Sequence, residues 1–417
     1  MKNFKDSGIE WLGEIPQHWE VSKFKYFYRS NMGETILAQD LKDEGVPIYS
    51  ATEDDKFFGR IKNPINLLNI NDFVIPARGN SIGAVKIVKE KSTCTQTTIF
   101  SKQFKEMNPY YVYYFLSGYR KFLFEFTQTA IPQITISQVN DNPILYPPLK
   151  EQEQIANFLD EKCEQIVNFI EKKEKLISLL KEQKQVLINE TITKGLDKNV
   201  NFKDSGIEWL GEIPQHWEIV KLKYLGNFQN GISINSEAFG VGYPFVSYGD
   251  VYNNISIPFD VKGLVNSTEI DRKVYSVKQG DIFFTRTSET IDEIGISSVC
   301  LKTIENAVFA GFLIRFRANK KILDNNFAKF YFRRNLNQYF FAKENGLVTR
   351  ASLGQELLGK LPVIIPPLKE QKQIANFLDE KCEKIDLLIE KTKKQIKLIK
   401  EYKTTLINQA VCGRIDL

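Results

Sequence analysis

Two short polar segments carry side chains that can read hydrogen-bonding groups on another molecule. They are RGNSIG at 78–83 and RTSE at 286–289, and each follows one strand-like run and precedes another. The planar guanidinium group of an arginine can reach the O6 and N7 atoms of guanine, and hydroxyl or amide groups can supplement that contact. The candidate base-reading residues are therefore Arg78, Asn80, Ser81, Arg286, Thr287 and Ser288. The alternative is that each arginine pairs with a nearby carboxylate at a loop tip.

A second set of basic residues suits contacts with phosphates. It comprises Arg60 and Lys62 after the aromatic pair at 57–58, Arg315, Arg317, Lys320 and Lys321 at a strand end, and Arg333 and Arg334 on an aromatic helix. The chain has a net charge of +5 at pH 7, and the excess basic charge lies in two interior blocks, 21–146 and 219–365. Such blocks are typical of modules that bind polyanions, although the same charges could simply keep a surface soluble.

No arrangement of residues typical of catalysis is found along the chain. A GxxxxGK[ST] phosphate-binding loop and a GxGxxG turn after a strand are both missing. The segment NPYY at 108–111 differs from the Asn-Pro-Pro-Tyr/Phe loop of adenine methyltransferases, and we interpret it as a helix start. The acidic triplets at 160–162 and 379–381 are interpreted as solvated helix faces. We therefore expect neither catalytic residues nor a cofactor.

Metal sites and membrane spans are not expected either. The five cysteines lie far apart in the sequence and there are only two histidines, which argues against a zinc site. There is no run of about 18 apolar residues, the length that a membrane span requires. The first residues lack the apolar core of a secretory signal. Together with reduced thiols, these features favour a cytoplasmic protein.

An internal repeat reveals the elements that must position the polar segments. The eighteen residues NFKDSGIEWLGEIPQHWE occur at 3–20 and again at 201–218. A second block, PPLKEQEQIANFLDEKCEQI at 147–166, returns at 366–385 with 18 of its 20 residues unchanged. The blocks between them differ in sequence, and we call them module 1 (21–146) and module 2 (219–365). A shared frame thus carries two different interiors. We expect the tryptophans of the frame to staple a loop to a core.

Each second block begins a long amphipathic helix, expected at 150–195 and 369–413. A Pro-Pro pair precedes each helix, a glycine (Gly195 or Gly413) marks its end, and apolar residues recur with coiled-coil spacing. The predicted contact residues are Leu159, Ile166, Ile170, Ile177, Leu180, Leu378, Ile385, Ile389, Ile396 and Ile399. Because each helix follows its own module, the two copies should pack antiparallel. Packing on the module itself or on another chain is the alternative.

Both modules are predicted to mix strands and helices in the same order. Strand-like runs lie at 47–51, 72–77, 83–88 and 93–101 in module 1 and at 244–249, 281–287, 295–301 and 307–317 in module 2, and helices are expected at 108–126 and 325–344. The prediction is an α+β protein with an internal pseudo-twofold repeat. Its domains are 1–149, the helix 150–195, 196–368 and the helix 369–413.

The whole pattern resembles the specificity (S) subunit of type I restriction–modification systems. The resemblance rests on DSGIEWLGEIPxHWE, a variable block and PPLxEQxxIAxFLDxKxxxID, all repeated, and it covers essentially the entire chain. It implies that each module is a target recognition domain that reads one half of a bipartite site in double-stranded DNA. It also implies an antiparallel coiled coil that spaces the domains and docks two DNA-methyltransferase subunits. Two motor-nuclease subunits would complete the complex, and the specificity subunit itself would be non-catalytic.

One departure from that pattern is Ile166-Val167, where the second copy has Ile385-Asp386. Two other functions remain open from the sequence. One is a stand-alone enzyme, such as a fused methyltransferase-nuclease, which would need motifs that the chain lacks. The other is a coiled-coil scaffold whose two globular modules bind proteins.

Overall fold

The protein divides into two compact units that share the long helices. The structure, a computed structural model, describes residues 3–124, 132–288, 293–319, 322–334, 337, 339–341, 343 and 351–417. Unit 1 comprises Met1–Glu174 and Lys393–Leu417, and unit 2 comprises Lys175–Thr392. Each unit therefore combines one module with a part of both helices.

The described part of unit 1 contains a four-stranded sheet, a three-stranded sheet and two two-stranded sheets, together with short helices. Its strands are β1 Phe4–Asp6, β2 Glu14–Pro16, β3 Glu20–Lys23, β4 Tyr28–Met32, β5 Val46–Tyr49, β6 Gly59–Ile61, β7 Phe73–Pro76, β8 Lys86–Ile87, β9 Thr93–Cys94, β10 Thr98–Gln103 and β11 Pro143–Tyr146, and its short helices are α1 Pro109–Gly118, α2 Arg120–Leu123 and α3 Ile136–Asp141. An antiparallel sheet has the order β4-β10-β7-β8, and a second has the order β6-β5-β9 with β5 and β9 parallel. Helix α1 begins where the Asn108 side chain accepts hydrogen bonds from two backbone N–H groups of the first turn.

Unit 2 repeats this topology with a different sequence. Its strands are β12 Phe202–Asp204, β13 Glu212–Pro214, β14 Glu218–Lys221, β15 Gly226–Asn230, β16 Phe239–Val246, β17 Leu264–Val265, β18 Ile282–Thr285, β19 Thr287–Ser288, β20 Ser297–Val299, β21 Val308–Phe309, β22 Leu313–Ala318, β23 Ala351–Ser352 and β24 Pro362–Ile365, and its short helices are α5 Tyr248–Asn253, α6 Glu269–Val274, α7 Asn325–Arg333 and α8 Gln355–Lys360. The sheets β15-β22-β18-β20 and β17-β16-β21 correspond to those of unit 1.

The long helices are α4, Leu149–Lys194, of 46 residues and α9, Leu368–Val411, of 44 residues. The core of unit 1 joins Leu159 near the start of α4 to Ile407 near the end of α9. The core of unit 2 joins Leu378 near the start of α9 to Ile188 near the end of α4. The helices are therefore antiparallel in each unit, as predicted. All ten predicted contact residues are buried or half-buried.

Three runs that the sequence predicted as single strands are each two strands. The run 281–287 is divided between β18 and β19, which are separated at Arg286. The run 93–101 is broken at residues 95–97, where the Thr98 N–H donates to the Thr95 carbonyl at 2.9 Å. The run 307–317 is broken at 310–312 by the same kind of bond, from Leu313 N–H to Ala310 at 3.0 Å. The turn at 95–97 contains two β-branched residues, so its composition does not distinguish it from a strand, whereas Gly311 was an available signal for the turn at 310–312.

Three other predicted elements end earlier than expected. The run 244–249 leaves the strand after Val246 and enters α5. The helix predicted at 108–126 breaks after Gly118, and its last two residues lie outside the described part of the chain. Helix α7 ends at Arg333, and in its predicted continuation to 344 the described residues 337, 339–341 and 343 are again helical. Among the described residues, no helix is long and apolar enough to cross a membrane.

Candidate nucleic-acid interface and its frame

One edge of the larger sheet in module 1 gathers three loops. Strands β4 and β7 end at this edge and β10 begins there, because neighbouring strands run antiparallel. A bridge between Arg78 and Gln133 adds a fourth segment. The approach is close: a Cβ atom at Gly33 would collide with the Thr95 carbonyl oxygen, so only glycine fits there.

The exposed side chains that the structure describes at this edge are polar, and none of them is a carboxylate. They are Thr35, Arg78, Asn80, Gln96, Gln133 and Thr135, which we call rim 1. The Thr35 hydroxyl donates to the Gln96 side-chain oxygen at 2.9 Å. Arginine, glutamine, asparagine and threonine are the residue types that pair with base edges. The predicted residue Ser81 follows the rim and is half-buried.

Arg78 is the most prominent charge of rim 1. It is exposed and lines a shallow depression with Met32 and residues 133–137. Its guanidinium group makes no hydrogen bond or ion pair with any residue that the structure describes, so the predicted alternative of a local carboxylate partner finds no support in that part of the chain.

Arg60 and Lys62 are exposed but lie away from rim 1. Arg60 is on β6 opposite Pro47, and its guanidinium donates to the Gly45 carbonyl at 2.8 Å. Lys62 follows Ile61, which pairs with Val46 at the end of β5 remote from the rim. The structure therefore separates these two residues from Arg78.

The corresponding edge of module 2 has the same backbone but a shifted arginine. The Arg286 N–H donates to the Phe312 carbonyl at 2.9 Å, just as Ala77 N–H donates to the Thr97 carbonyl at 2.9 Å. Arg286 therefore occupies the position of Ala77, and Thr287 occupies that of Arg78. Arg286 and Arg78 both follow a strand in the sequence, but they are not structural counterparts, because a shift of one residue turns a side chain to the opposite face of the sheet.

The exposed positions of this edge, with the half-buried Arg286, form rim 2: Ser233, Arg286, Thr287, Phe312 and Ser352. By backbone hydrogen bonding they match Thr35, Ala77, Arg78, Thr97 and Gln133, in that order. The scaffold positions are thus shared, whereas the side chains differ. Strand β19 ends at Ser288, whose side chain lies outside the described part, as does the whole of Glu289.

Two of the predicted phosphate contacts are engaged inside module 2. Arg315 is 8% exposed, its guanidinium donates to the Ser276 carbonyl at 2.7 Å, and burial lowers its pKa to about 10. Arg317 makes a two-pronged pair with the Asp281 carboxylate at 2.5 and 2.6 Å. Both guanidinium groups tie β22 to the segment between α6 and β18, so neither belongs to the proposed interface.

Arg333 and Arg334 are also bonded or buried within the protein. Arg333 donates to four backbone carbonyls at 2.5–3.0 Å, and Arg334 is 1% exposed with its charge 4.1 Å from the Tyr331 ring centre. Lys320 and Lys321 lie outside the described residues.

The frame forms the same joint in both units. In unit 1 the Glu151 carboxylate lies 2.7 Å from His18 Nε2 and accepts the Trp19 indole N–H at 2.9 Å. In unit 2 Glu370 contacts His216 at 2.8 Å and Trp217 at 2.9 Å in the same way. Both indoles are almost completely buried. The predicted role of these tryptophans as staples is confirmed.

In each unit one buried glutamine, which the sequence reasoning missed, ties the module to its long helix. The Gln152 side chain accepts from Asn108 N–H at 2.8 Å and donates to the Pro147 carbonyl at 2.7 Å. Gln371 makes equivalent contacts with Asp324 at 2.8 Å and Pro366 at 2.7 Å. The glutamine is present in both copies of PPLKEQ, and this repetition is the sequence signal that could have revealed its structural role.

The helices differ at the departure noted in the sequence. Lys184 lies 2.6 Å from the Asp386 carboxylate in unit 2. The residue equivalent to Asp386 in the first copy is Val167, which is 40% exposed. The lysine–aspartate pair thus has no counterpart at that position of unit 1.

Comparison with known proteins gives the family. The model of the type I restriction modification DNA specificity domain matches residues 16–187 and 214–398. This chain belongs to that family. Each copy of the domain covers one module, its frame joint and most of the helix that follows.

The family members similar to this chain span its whole length. The MjaVIII specificity subunit of a type I restriction enzyme from Methanocaldococcus jannaschii is 28% identical and covers 99% of this chain and 96% of its own. The putative MjaX specificity subunit from the same organism is 26% identical, covering 99% and 97%. The HsdS subunit from Thermoanaerobacter tengcongensis shares the fold with a TM-score of 0.55 at 14% identity, covering 96% and 98%. A chain from a study of type I R-M complex assembly reaches 0.74 at 14% identity, covering 96% and 99%.

Proposed function

We propose that this specificity-family protein reads a bipartite site in double-stranded DNA, with rim 1 contacting one half-site and rim 2 the other. The observation that carries the proposal is the pair of equivalent sheet edges, which share backbone positions but present different exposed side chains. Two readers built this way would recognise two different base sequences. A scaffold that binds proteins through its modules is the alternative, and it predicts no selection of DNA sequence.

Substitution of Arg78 tests the reading role of rim 1. The full chain, together with its methylation partner, is incubated with a random duplex library, and the bound fraction is sequenced. Arg78→Ala should relax one position of one half-site at a cost of about 1–3 kcal/mol. Arg60→Ala is the matched control, because Arg60 is exposed but remote from the rim. If Arg60 contacts a phosphate, its loss weakens all sequences alike and flattens the salt dependence. An unchanged motif for Arg78→Ala would refute its base-reading role.

Exchange of a whole module tests the independence of the two readers. Replacing residues 219–365 by the corresponding block of another family member should change one half of the bound motif and leave the other intact. A motif that changes in both halves would contradict separate reading by the two modules.

We further propose that the long helices carry the docking surfaces for two methyltransferase subunits. Three exposed apolar residues of α4, Leu149, Phe169 and Leu179, recur at equivalent positions of α9 as Leu368, Leu388 and Leu398. Large apolar residues left exposed at the same places in both copies are typical of two equivalent binding surfaces.

Charge placed on those surfaces tests the docking. The double variant Leu179→Glu/Leu398→Glu should reduce the methyltransferase copies that co-purify from two to none. Lys181→Glu, at an exposed position of the same helix, is the control and should retain both. Full retention by the double variant would exclude these residues from docking. Two motor-nuclease subunits would join the complex afterwards, as in the family pattern.

We also propose that helix length determines the spacer between the half-sites. Four residues inserted near Ile177 add roughly 6 Å of helix, which matches one or two base pairs at about 3.4 Å each. The selected motif should lengthen accordingly. Two residues would rotate the apolar stripe away from its partner and abolish the complex. Full binding of the original spacing by the four-residue variant would refute this role.

The chain is proposed to be non-catalytic on its own, because its sequence lacks nucleotide-binding and nucleophile motifs. Purified protein incubated with duplex DNA and a methyl donor should transfer no methyl groups until a methyltransferase subunit is added. Turnover by a homogeneous preparation without that partner would overturn this proposal.

A further inference from the structure

One residue of rim 2 differs in chemistry from the other residues of that rim. Phe312 is 64% exposed, whereas the other residues of rim 2 are hydroxyl-bearing or, in Arg286, charged. The equivalent residue of module 1 is Thr97, whose hydroxyl lies 2.8 Å from that of Thr95. The same scaffold position therefore holds a hydrogen-bonding group in one module and an apolar ring in the other.

The backbone around Phe312 is held on both sides. Its carbonyl accepts the Arg286 N–H at 2.9 Å. The neighbouring Gly311 packs closely on the segment after β15, where an added Cβ would lie 2.8 Å from the Ser233 hydroxyl and 3.1 Å from the Ile232 carbonyl oxygen. The backbone of the turn thus has contacts on both sides, and the ring projects from it. An exposed phenyl group lacks the stabilisation that burial would give, so the Phe312 ring contributes little to the stability of the fold.

The surroundings indicate which group the ring would contact. The hydroxyl groups of Thr287, Ser233 and Ser352 are suited to the hydrogen-bonding groups on the edges of bases. The one apolar group on a base edge in the major groove is the 5-methyl of thymine, and phenylalanine is among the residues that contact it. Building on the function proposed above, we propose that Phe312 specifies a thymine in the half-site of module 2 by packing on its 5-methyl group.

Deoxyuridine, which lacks only that methyl group, provides the test. Each thymine of the bound site is replaced in turn, and binding by the full chain with its partner is measured. One thymine in the half-site of module 2 should show a loss of roughly 4- to 10-fold, as expected for one methyl contact. In Phe312→Ser the same replacement should have no effect, whereas Phe312→Leu should keep part of it. Phe259→Ser is the matched control, since Phe259 is 58% exposed in the same module and lies near Ile257, which pairs with the far end of β20.

The outcomes separate this inference from the proposed function. If the wild-type protein selects no DNA sequence at all, the proposed function itself fails. If it selects a site but Phe312→Ser retains the full sensitivity to deoxyuridine, the thymine contact is refuted. The contact is also refuted if Phe312→Ser weakens all sequences equally and removes a 2-aminopurine unstacking signal, because the ring would then act as an intercalating wedge.

Discussion

Truncation of Leu378 should destabilise unit 2 by about 3 kcal/mol. Leu378 is 0% exposed and lies in the core of unit 2 near the start of α9. Leucine to alanine removes about 2.4 kcal/mol of transfer free energy at roughly 0.8 kcal/mol per methylene, and the remaining cavity adds to it. Leu159 occupies the equivalent position of α4 in unit 1 and is also 0% exposed. Leu159→Ala should therefore cost unit 1 a similar amount.

The helices supply their own controls for this experiment. Leu179 and Leu398 lie on the same two helices at equivalent positions, and they are 52% and 54% exposed. Their alanine variants should change the free energy of unfolding by less than about 0.5 kcal/mol. Any difference from Leu378→Ala then reports burial, because residue type and helix propensity are matched.

Hydrogen exchange followed by mass spectrometry resolves the two units in one chain. A cost of about 3 kcal/mol lowers amide protection roughly 100-fold, in peptides of unit 2 for Leu378→Ala and of unit 1 for Leu159→Ala. If Leu398→Ala reduces amide protection as much as Leu378→Ala does, then burial of Leu378 in the core of unit 2 is not what stabilises α9 there. A loss under about 1 kcal/mol for both buried residues would refute the reasoning equally.

Three further predictions concern the frame and the surface charges. Glu370→Ala leaves the buried Trp217 indole N–H without its acceptor and should cost about 1–3 kcal/mol in urea unfolding, whereas Glu370→Gln keeps an acceptor and should cost less; equal costs would deny the bond its importance. Asp386→Asn breaks a partly exposed pair with Lys184 and should cost under about 1 kcal/mol, declining with added salt; a salt-independent loss would contradict this. Hydrogen bonds from two lysines lower the pKa of the Asp141 carboxyl from 3.8 to about 2, so its stabilisation is present above pH 3.8 and is lost as the pH falls toward 2. Asp141→Asn should therefore flatten the melting temperature against pH in that window, and an unchanged profile would show that the lysines do not act on it.

The sequence alone determined the architecture of the frame. The exact repetition of residues 3–20 at 201–218 and the near-exact repetition of the block that begins PPLKEQ implied one scaffold used twice. The helices could be placed because proline, glycine and the apolar stripe act over neighbouring residues, which makes them readable along the chain. The antiparallel pairing followed from chain order, since each helix comes after its own module.

The rims could not be read in this way, because they depend on which residues meet across a sheet. Arg78 and Arg286 look equivalent in sequence, but backbone hydrogen bonding places Arg286 in register with Ala77. A shift of one residue reverses the face of a strand and leaves no trace in composition. Phe312 went unnoticed because it lies in a turn inside a run that was predicted as one strand, and only the pairing of the strands exposes that turn.

Tertiary structure also decided which arginines are available to a ligand. Sequence gives every arginine the same charge, whereas burial and partners are set by distant segments: Arg317 pairs with Asp281, 36 residues away, and Arg78 remains exposed. The cost of burying an unpaired guanidinium forces such partnerships in the interior. Local sequence therefore determined where the helices and frame lie, and only the packing of the modules decided which side chains face outward at the sheet edges.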